Sequence, residues 1–246
     1  MINDETRRKL RALKLDELVE YLDMQITESD NLGLSFDEKL QLMIDYLYQA
    51  KFNTKTEHLI KLSKFRLPRA ELNDIHYVQR GIDKLKMLEI GTCSFMHDYQ
   101  NIVFQGFTGS GKTYLACAIG KQACKQQYRT RYIRVPDLLM EYDEYRLLPK
   151  GKQKLLKKYS AYQLLILDEW LLEEISDEER YFLFELLERR YGAASNIFCT
   201  QFRKDDWHGR LGGGTPADAI MDRIVHDSIY IETGSLNMRE FYSSRR

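Results

Sequence analysis

Apolar residues along this chain follow two different periods, and the change falls near residue 70. Before it, Leu10, Leu13, Leu18 and Leu22 keep helical spacing, as do Leu40, Met43 and Leu47, and a third apolar stretch covers 59–67. Ser35 with Glu38 three positions on is a capping-box signal for the second helix, and Pro68 ends the third. These patterns predict three short helices in a small domain over residues 1–68. From about residue 72, short apolar runs alternate with helical patterns. Strands are expected at 102–104, 130–135, 164–167, 196–200 and 229–231. Between them a helix is expected at 114–125, with Leu115, Ala118, Ile119 and Ala123 turned inward. Ser176 and Glu179 cap a helix that buries Phe182, Leu183, Leu186 and Leu187 and stops at Gly192. Thr215 as N-cap, with Pro216 in the first helical position, opens another. Such alternation predicts an α/β domain over 69–246, a parallel sheet between helices.

The chemistry is concentrated where the first strand meets its helix. Residues Gly106, Phe107, Thr108, Gly109, Ser110, Gly111, Lys112 and Thr113 match the phosphate-loop pattern G-x-x-x-x-G-K-[ST] throughout, and Tyr114 follows in the helix. The glycines let successive N–H groups turn inward as an anion nest, and the helix offers its positive end to the phosphates. Lys112 is expected to reach the β- and γ-phosphates and the Thr113 hydroxyl to ligate Mg²⁺, so ATP and Mg²⁺ are the expected cofactors. The strand at 164–167 then delivers Asp168 and Glu169. Asp168 is assigned to the metal, Glu169 to orienting and polarising the attacking water. A kinase acting on another substrate has no need of that glutamate, whereas hydrolysis of ATP to ADP and phosphate does. Gln201, at the end of the fourth strand, is placed to meet the γ-phosphate or the water. Arg223 admits two readings: an arginine donated to a neighbouring subunit's γ-phosphate, or a surface ion pair with Asp222 or Asp227.

Composition narrows the partners. Lys plus Arg and Asp plus Glu both number 37, so no global attraction to nucleic acid or anionic membrane exists and any such contact is local. One basic segment runs over 146–158 without an acid and carries Lys150, Lys152, Lys154, Lys157 and Lys158. A second includes Lys61, Lys64 and Arg66. Both are candidate surfaces for sequence-independent, salt-sensitive contact with double-stranded DNA, set against the plain alternative of a solvated charged face. Cys93, Cys117, Cys124 and Cys199 show no C-x-x-C spacing and read as reduced core thiols. No apolar run approaches the roughly 18 residues of a membrane span, and the first residues lack a signal-peptide pattern, so a cytoplasmic location without membrane association is expected.

The spacing of the phosphate loop, of 164–169, of Glu188-Arg189-Arg190-Tyr191, of 197–201 and of Asp222-Arg223-Ile224-Val225-His226 resembles the IstB family of insertion-sequence ATP-binding proteins. These are AAA+ ATPases related to the DnaC helicase loaders, and the similarity covers nearly the whole chain. The resemblance implies an AAA+ P-loop fold with a five-stranded parallel sheet. It also implies a homo-oligomer that assembles on and prepares target DNA and recruits an IstA-type transposase, with Arg223 acting in trans. Three departures stand out: Cys199-Thr200-Gln201 where relatives usually carry Thr-Ser-Asn, Trp170-Leu171 in place of Leu-Gly, and His226-Asp227 in place of two histidines. A DnaC-like helicase loader and a nucleotide-gated adaptor that barely hydrolyses ATP are the alternative functions.

Overall fold

Each apolar run of the second half becomes a strand because both faces of the sheet are covered. The structure, a computed structural model, describes residues 3–27 and 33–243. Strands β1 (Asn101–Gln105), β2 (Thr130–Arg134), β3 (Leu164–Asp168), β4 (Ser195–Thr200) and β5 (Ser228–Glu232) form one sheet in the order β2-β3-β4-β1-β5. All pairings are parallel. Successive side chains alternate between faces. Ile102 and Phe104 of β1 enter one core with Ile166, Ile197 and Cys199, while Val103 enters the other with Leu165, Leu167 and Phe198. The first core is closed by α4 (Tyr77–Arg80), α5 (Lys84–Gly91) and α6 (Lys112–Lys125). The second is closed by α7 (Val135–Arg146), α8 (Gly151–Ser160), α9 (Asp177–Arg190), α10 (Lys204–Arg210) and α11 (Gly214–Val225). The expected α/β architecture, with five parallel strands between helices, is the one observed.

The chain divides into two compact units, Met1–His58 and Leu59–Arg246. The first contains α1 (Asp4–Ala12), α2 (Asp16–Thr27) and most of α3 (Phe36–Ser63). Here the helix pattern differs from expectation in two ways. The stretch 10–22 is cut at Lys14, which turns to φ 58 while Leu15 N–H closes back on Leu10 O at 3.0 Å. The second and third expected helices are instead a single 28-residue helix. No Gly or Pro interrupts residues 36–63, so nothing in the backbone stops it until Lys64 takes φ 53. Its start is the one expected: Ser35 N–H and Oγ both donate to Glu38 Oε2 at 2.8 Å, and Glu38 N–H returns to Ser35 Oγ.

The Ser176 capping box is likewise present, with Glu179 N–H on Ser176 Oγ at 3.3 Å and Ser176 N–H on Glu179 Oε2 at 2.7 Å. Helix α11, by contrast, begins at Gly214, with Gly213 and not Thr215 as its cap. Pro216 therefore sits deeper in the first turn, where its missing N–H has no intrahelical acceptor in any case.

One residue of the Arg189-Arg190-Tyr191 motif proves to be a structural staple. Arg190 is fully buried. Its guanidinium donates to Asn196 Oδ1 at 2.6 Å, Tyr159 O at 3.0 Å, Tyr162 O at 2.6 Å and Ser195 O at 2.6 Å, joining α9, the α8–β3 connection and the start of β4. Burial lowers its pKa to about 9, so it remains a cation at neutral pH.

Candidate functional site

The carboxyl ends of β1, β3, β4 and β5 converge where the strand order reverses, and the crevice of an open α/β sheet forms at such a point. The cleft there has a volume of about 680 Å³ and is lined by Thr108, Lys112, Thr113, Asp168, Glu169 and Gln201, among others. The phosphate loop leaves buried β1 and enters α6 at Lys112. Gly109 and Gly111 adopt φ 89 and 87, a conformation that strains any side-chain-bearing residue. A Cβ on Gly109 would also lie 2.5 Å from Asn237 Oδ1. The loop is pinned from behind by Arg80 Nη2 donating to Ser110 O at 2.6 Å, Thr233 Oγ1 to Ser110 Oγ at 2.6 Å and Met238 N–H to Gly109 O at 2.9 Å.

Inside this cradle Lys112 Nζ donates to Gly106 O at 2.7 Å and Phe107 O at 2.9 Å, and burial lowers its pKa. A half-buried ammonium held by two loop carbonyls is set to receive an anion. Thr113 Oγ1 donates to Asp168 Oδ2 at 2.8 Å, bringing a hydroxyl and a carboxylate, both hard oxygen donors, to one point. Among the described residues no group of three or more His, Cys, Asp or Glu side chains could hold a metal ion. A bound Mg²⁺ would therefore complete its shell with phosphate and water, its usual preference. At the end of β4, Gln201 Oε1 accepts from Thr108 Oγ1 at 2.8 Å, so Gln201 touches the phosphate loop itself. Tyr114 lines the same cleft and exchanges hydrogen bonds with the Glu71 backbone.

Glu169 has partners that sequence reasoning did not anticipate. Arg134, at the end of β2, donates Nε to its Oε2 at 2.8 Å and Nη2 to the same oxygen at 2.7 Å. Arg66 Nη1 pairs with Oε1 at 3.2 Å. Arg66, grouped by sequence with Lys61 and Lys64, therefore lines this cleft, whereas those two lysines are exposed and make no ion pair among the described residues. Helix α3 ends at Ser63, and the turn at Lys64 re-aims the residues after it. Arg239, on α12 (Met238–Ser243), also enters the cleft. It belongs to the 234–239 segment, which carries no sequence pattern that by itself marks a phosphate contact. The turn after Asp168 holds Glu169 at φ 59 and Leu171 at φ 58. Leu171 is kept there by burial and by Arg210 Nε donating to its carbonyl at 2.6 Å.

The model of the family described as IstB-like ATP binding protein matches residues 8–245. The chain belongs to the IstB family. Among its relatives, the insertion sequence ATP-binding protein y4pL of Sinorhizobium fredii is 30% identical over 97% of each chain. That of IS232 from Bacillus thuringiensis is 30% identical over 90% of this chain and 88% of its own. Among solved structures, the DnaC helicase loader matches with a TM-score of 0.56 at 21% identity, covering 66% of this chain and 96% of its own. DnaI matches at 0.55 and 23%, covering 70% and 91%. This IstB-family chain therefore shares the fold of those two structures. No described helix is long and apolar enough to cross a membrane.

Arg223 lies elsewhere. Asn101 Nδ2, at the start of β1, donates to the Arg223 carbonyl at 3.4 Å, whereas the phosphate loop follows the other end of that strand, ~16 Å away at ~3.3 Å per residue. Its guanidinium pairs with Glu188, donates to Ala219 O at 2.8 Å and stacks over Phe184 at 4.8 Å. The surface partner is thus Glu188, not Asp222 or Asp227, and Asp222 pairs with His226 at 3.2 Å. In the basic segment Lys152 pairs with Glu185, Lys158 with Glu141, and Arg146 with Glu178. That leaves Lys150, Lys154 and Lys157 exposed, without an acidic partner among the described residues; Lys154 and Lys157 share one face of α8, and Lys150 is its N-cap.

Proposed function

We propose that this IstB-family protein hydrolyses ATP at sites shared between subunits while bound to double-stranded DNA, and in that state recruits or stimulates an IstA-type transposase. The observation that carries the reading is the meeting of Lys112, Thr113, Asp168 and Glu169 in one cleft, with Arg223 a strand's length from it. Lys112 and the loop N–H groups would bind the β- and γ-phosphates, and Thr113 with Asp168 would hold Mg²⁺, which when bound neutralises phosphate charge. Glu169 would take up the proton of the attacking water and Gln201 would orient it. Arg134 engages Glu169 Oε2 twice and Arg66 engages Oε1 once, so Oε1 is the oxygen with capacity left to accept the proton. Arg223 cannot reach its own chain's loop and is assigned to the cleft of an adjoining copy. A solved relative in fold, DnaA, is described as bound to AMPPCP and single-stranded DNA. The helicase-loader reading is second, because the likeness to insertion-sequence relatives spans 97% of the chain and that to DnaC 66%.

Glu169→Gln is expected to retain ATP and lose turnover by about 10²-fold or more, the scale of a positioned general base. Arg223→Ala should bind ATP normally and lose turnover by about 10³-fold or more, as an arginine acting in trans does. Mixing the two variants should restore part of the activity, since each supplies what the other lacks. Steady-state phosphate release checks all three, and normal turnover by Arg223→Ala would refute the shared site. Replacing Lys150, Lys154 and Lys157 together with Ala should weaken duplex binding and flatten its salt dependence, by up to about 0.9 log unit per lost phosphate contact. Absence of wild-type binding to duplex at low salt would exclude the DNA-bound reading.

A further inference from the structure

Tyr132 lies on β2 beside β3, its ring in the core that also contains Ile166 and Cys199. Its hydroxyl donates to Asp168 Oδ2 at 2.6 Å, the same oxygen that accepts Thr113 Oγ1 at 2.8 Å. The other carboxylate oxygen accepts Glu169 N–H at 3.0 Å. Asp168 and Tyr132 are 2% and 6% exposed. A phenylalanine would fill the same apolar space without bringing a polar atom into it, and a buried hydroxyl is costly unless bonded. Here the hydroxyl is satisfied by the Asp168 carboxylate. Of the three donors on Asp168, the Thr113 hydroxyl is the one a cation would draw away. The Tyr132 hydroxyl and the Glu169 N–H are free to stay and fix the plane of the carboxylate.

We infer that Tyr132 is the positioning residue of the cation site, its hydroxyl holding Asp168 in the orientation that faces Thr113. The inference rests on the reading of Thr113 and Asp168 as the Mg²⁺ holders. Donors behind a ligating group orient it, and their loss typically weakens metal affinity about 10- to 100-fold. The role also explains why a polar aromatic occupies this core position of β2.

The test is Tyr132→Phe in the full-length protein, with binding of N-methylanthraniloyl-ATP followed by fluorescence across a Mg²⁺ titration and again in EDTA. The Mg²⁺ concentration for half-maximal tightening should rise about tenfold or more. Affinity in EDTA and the nucleotide-free melting temperature should match the wild type. In an Asp168→Asn background the same change should add little, because the oriented carboxylate is already gone. A Tyr132→Phe titration that superimposes on the wild type would overturn the inference, as would an equal loss of affinity in EDTA, which would mark a purely structural role. A wild type that binds nucleotide identically with and without Mg²⁺ would instead overturn the underlying cation site.

Discussion

Lys112→Ala is expected to lower ATP affinity by roughly 10²- to 10³-fold while leaving the fold intact. Its ammonium is half-buried, which lowers its pKa, and makes two bonds to loop carbonyls at 2.7 and 2.9 Å. Hydrogen bonds to charged groups contribute about 1.5–3 kcal/mol each. Two redirected to phosphate oxygens give about 3–6 kcal/mol, offset in part by the two carbonyl bonds given up, and about 1.4 kcal/mol is a factor of ten. The loop does not depend on this side chain for its shape, because Arg80, Thr233 and Met238 hold it from outside. The nucleotide-free melting temperature should therefore be unchanged. The upward shift that saturating ATP gives the wild type, about 2.7 kcal/mol at one hundred times Kd, should disappear. Titration calorimetry and thermal melts measure the two effects. A loss of affinity below tenfold would mean that the phosphates lie elsewhere in the cleft.

Arg190→Met should be the most destabilising single change in the second unit, at about 3–5 kcal/mol, although it touches no part of the nucleotide cleft. Methionine fills most of the volume but donates nothing. Four oxygens, from Asn196, Tyr159, Tyr162 and Ser195, then lose their partner in a dry interior. For a unit of this size each kcal/mol lowers the midpoint by about 2–4 °C, so a fall of roughly 6–20 °C is expected. Arg189, the adjacent residue of the same motif, is exposed, and Arg189→Met should stay within about 0.5 kcal/mol. Urea denaturation of the two variants decides the matter. Equal midpoints would show that the four acceptors find other donors.

The sequence alone determined what is local. Periodicity placed all five strands, because the central strands, buried on both faces, carry short apolar runs and the edge strands β2 and β5 carry mixed ones, none long enough to be a helix. The phosphate loop was legible for the same kind of reason: its chemistry is made by consecutive backbone N–H groups and one following lysine, so spacing is geometry. Capping boxes at Ser35 and Ser176 were readable because their partners are three residues apart.

What required the tertiary structure is every contact between distant segments. Helix α3 runs through the gap between two expected helices because the intervening polar residues lack a breaker, and continuity is settled by packing, not by pattern. Arg66 reads as one more cation of a basic cluster until the turn at Lys64 carries it to Glu169, 103 residues away. Tyr132 looks like an ordinary core aromatic of β2, and Arg190 like a charge on an amphipathic helix. Only the register of β2 on β3 and the closure of α9 over β4 reveal what their polar atoms meet. Arg223 likewise receives its place from the fold, at the end of the sheet away from its own phosphate loop. Hydrophobic period encodes which face a residue takes. Which polar group waits on that face depends on how elements far apart in sequence are brought together.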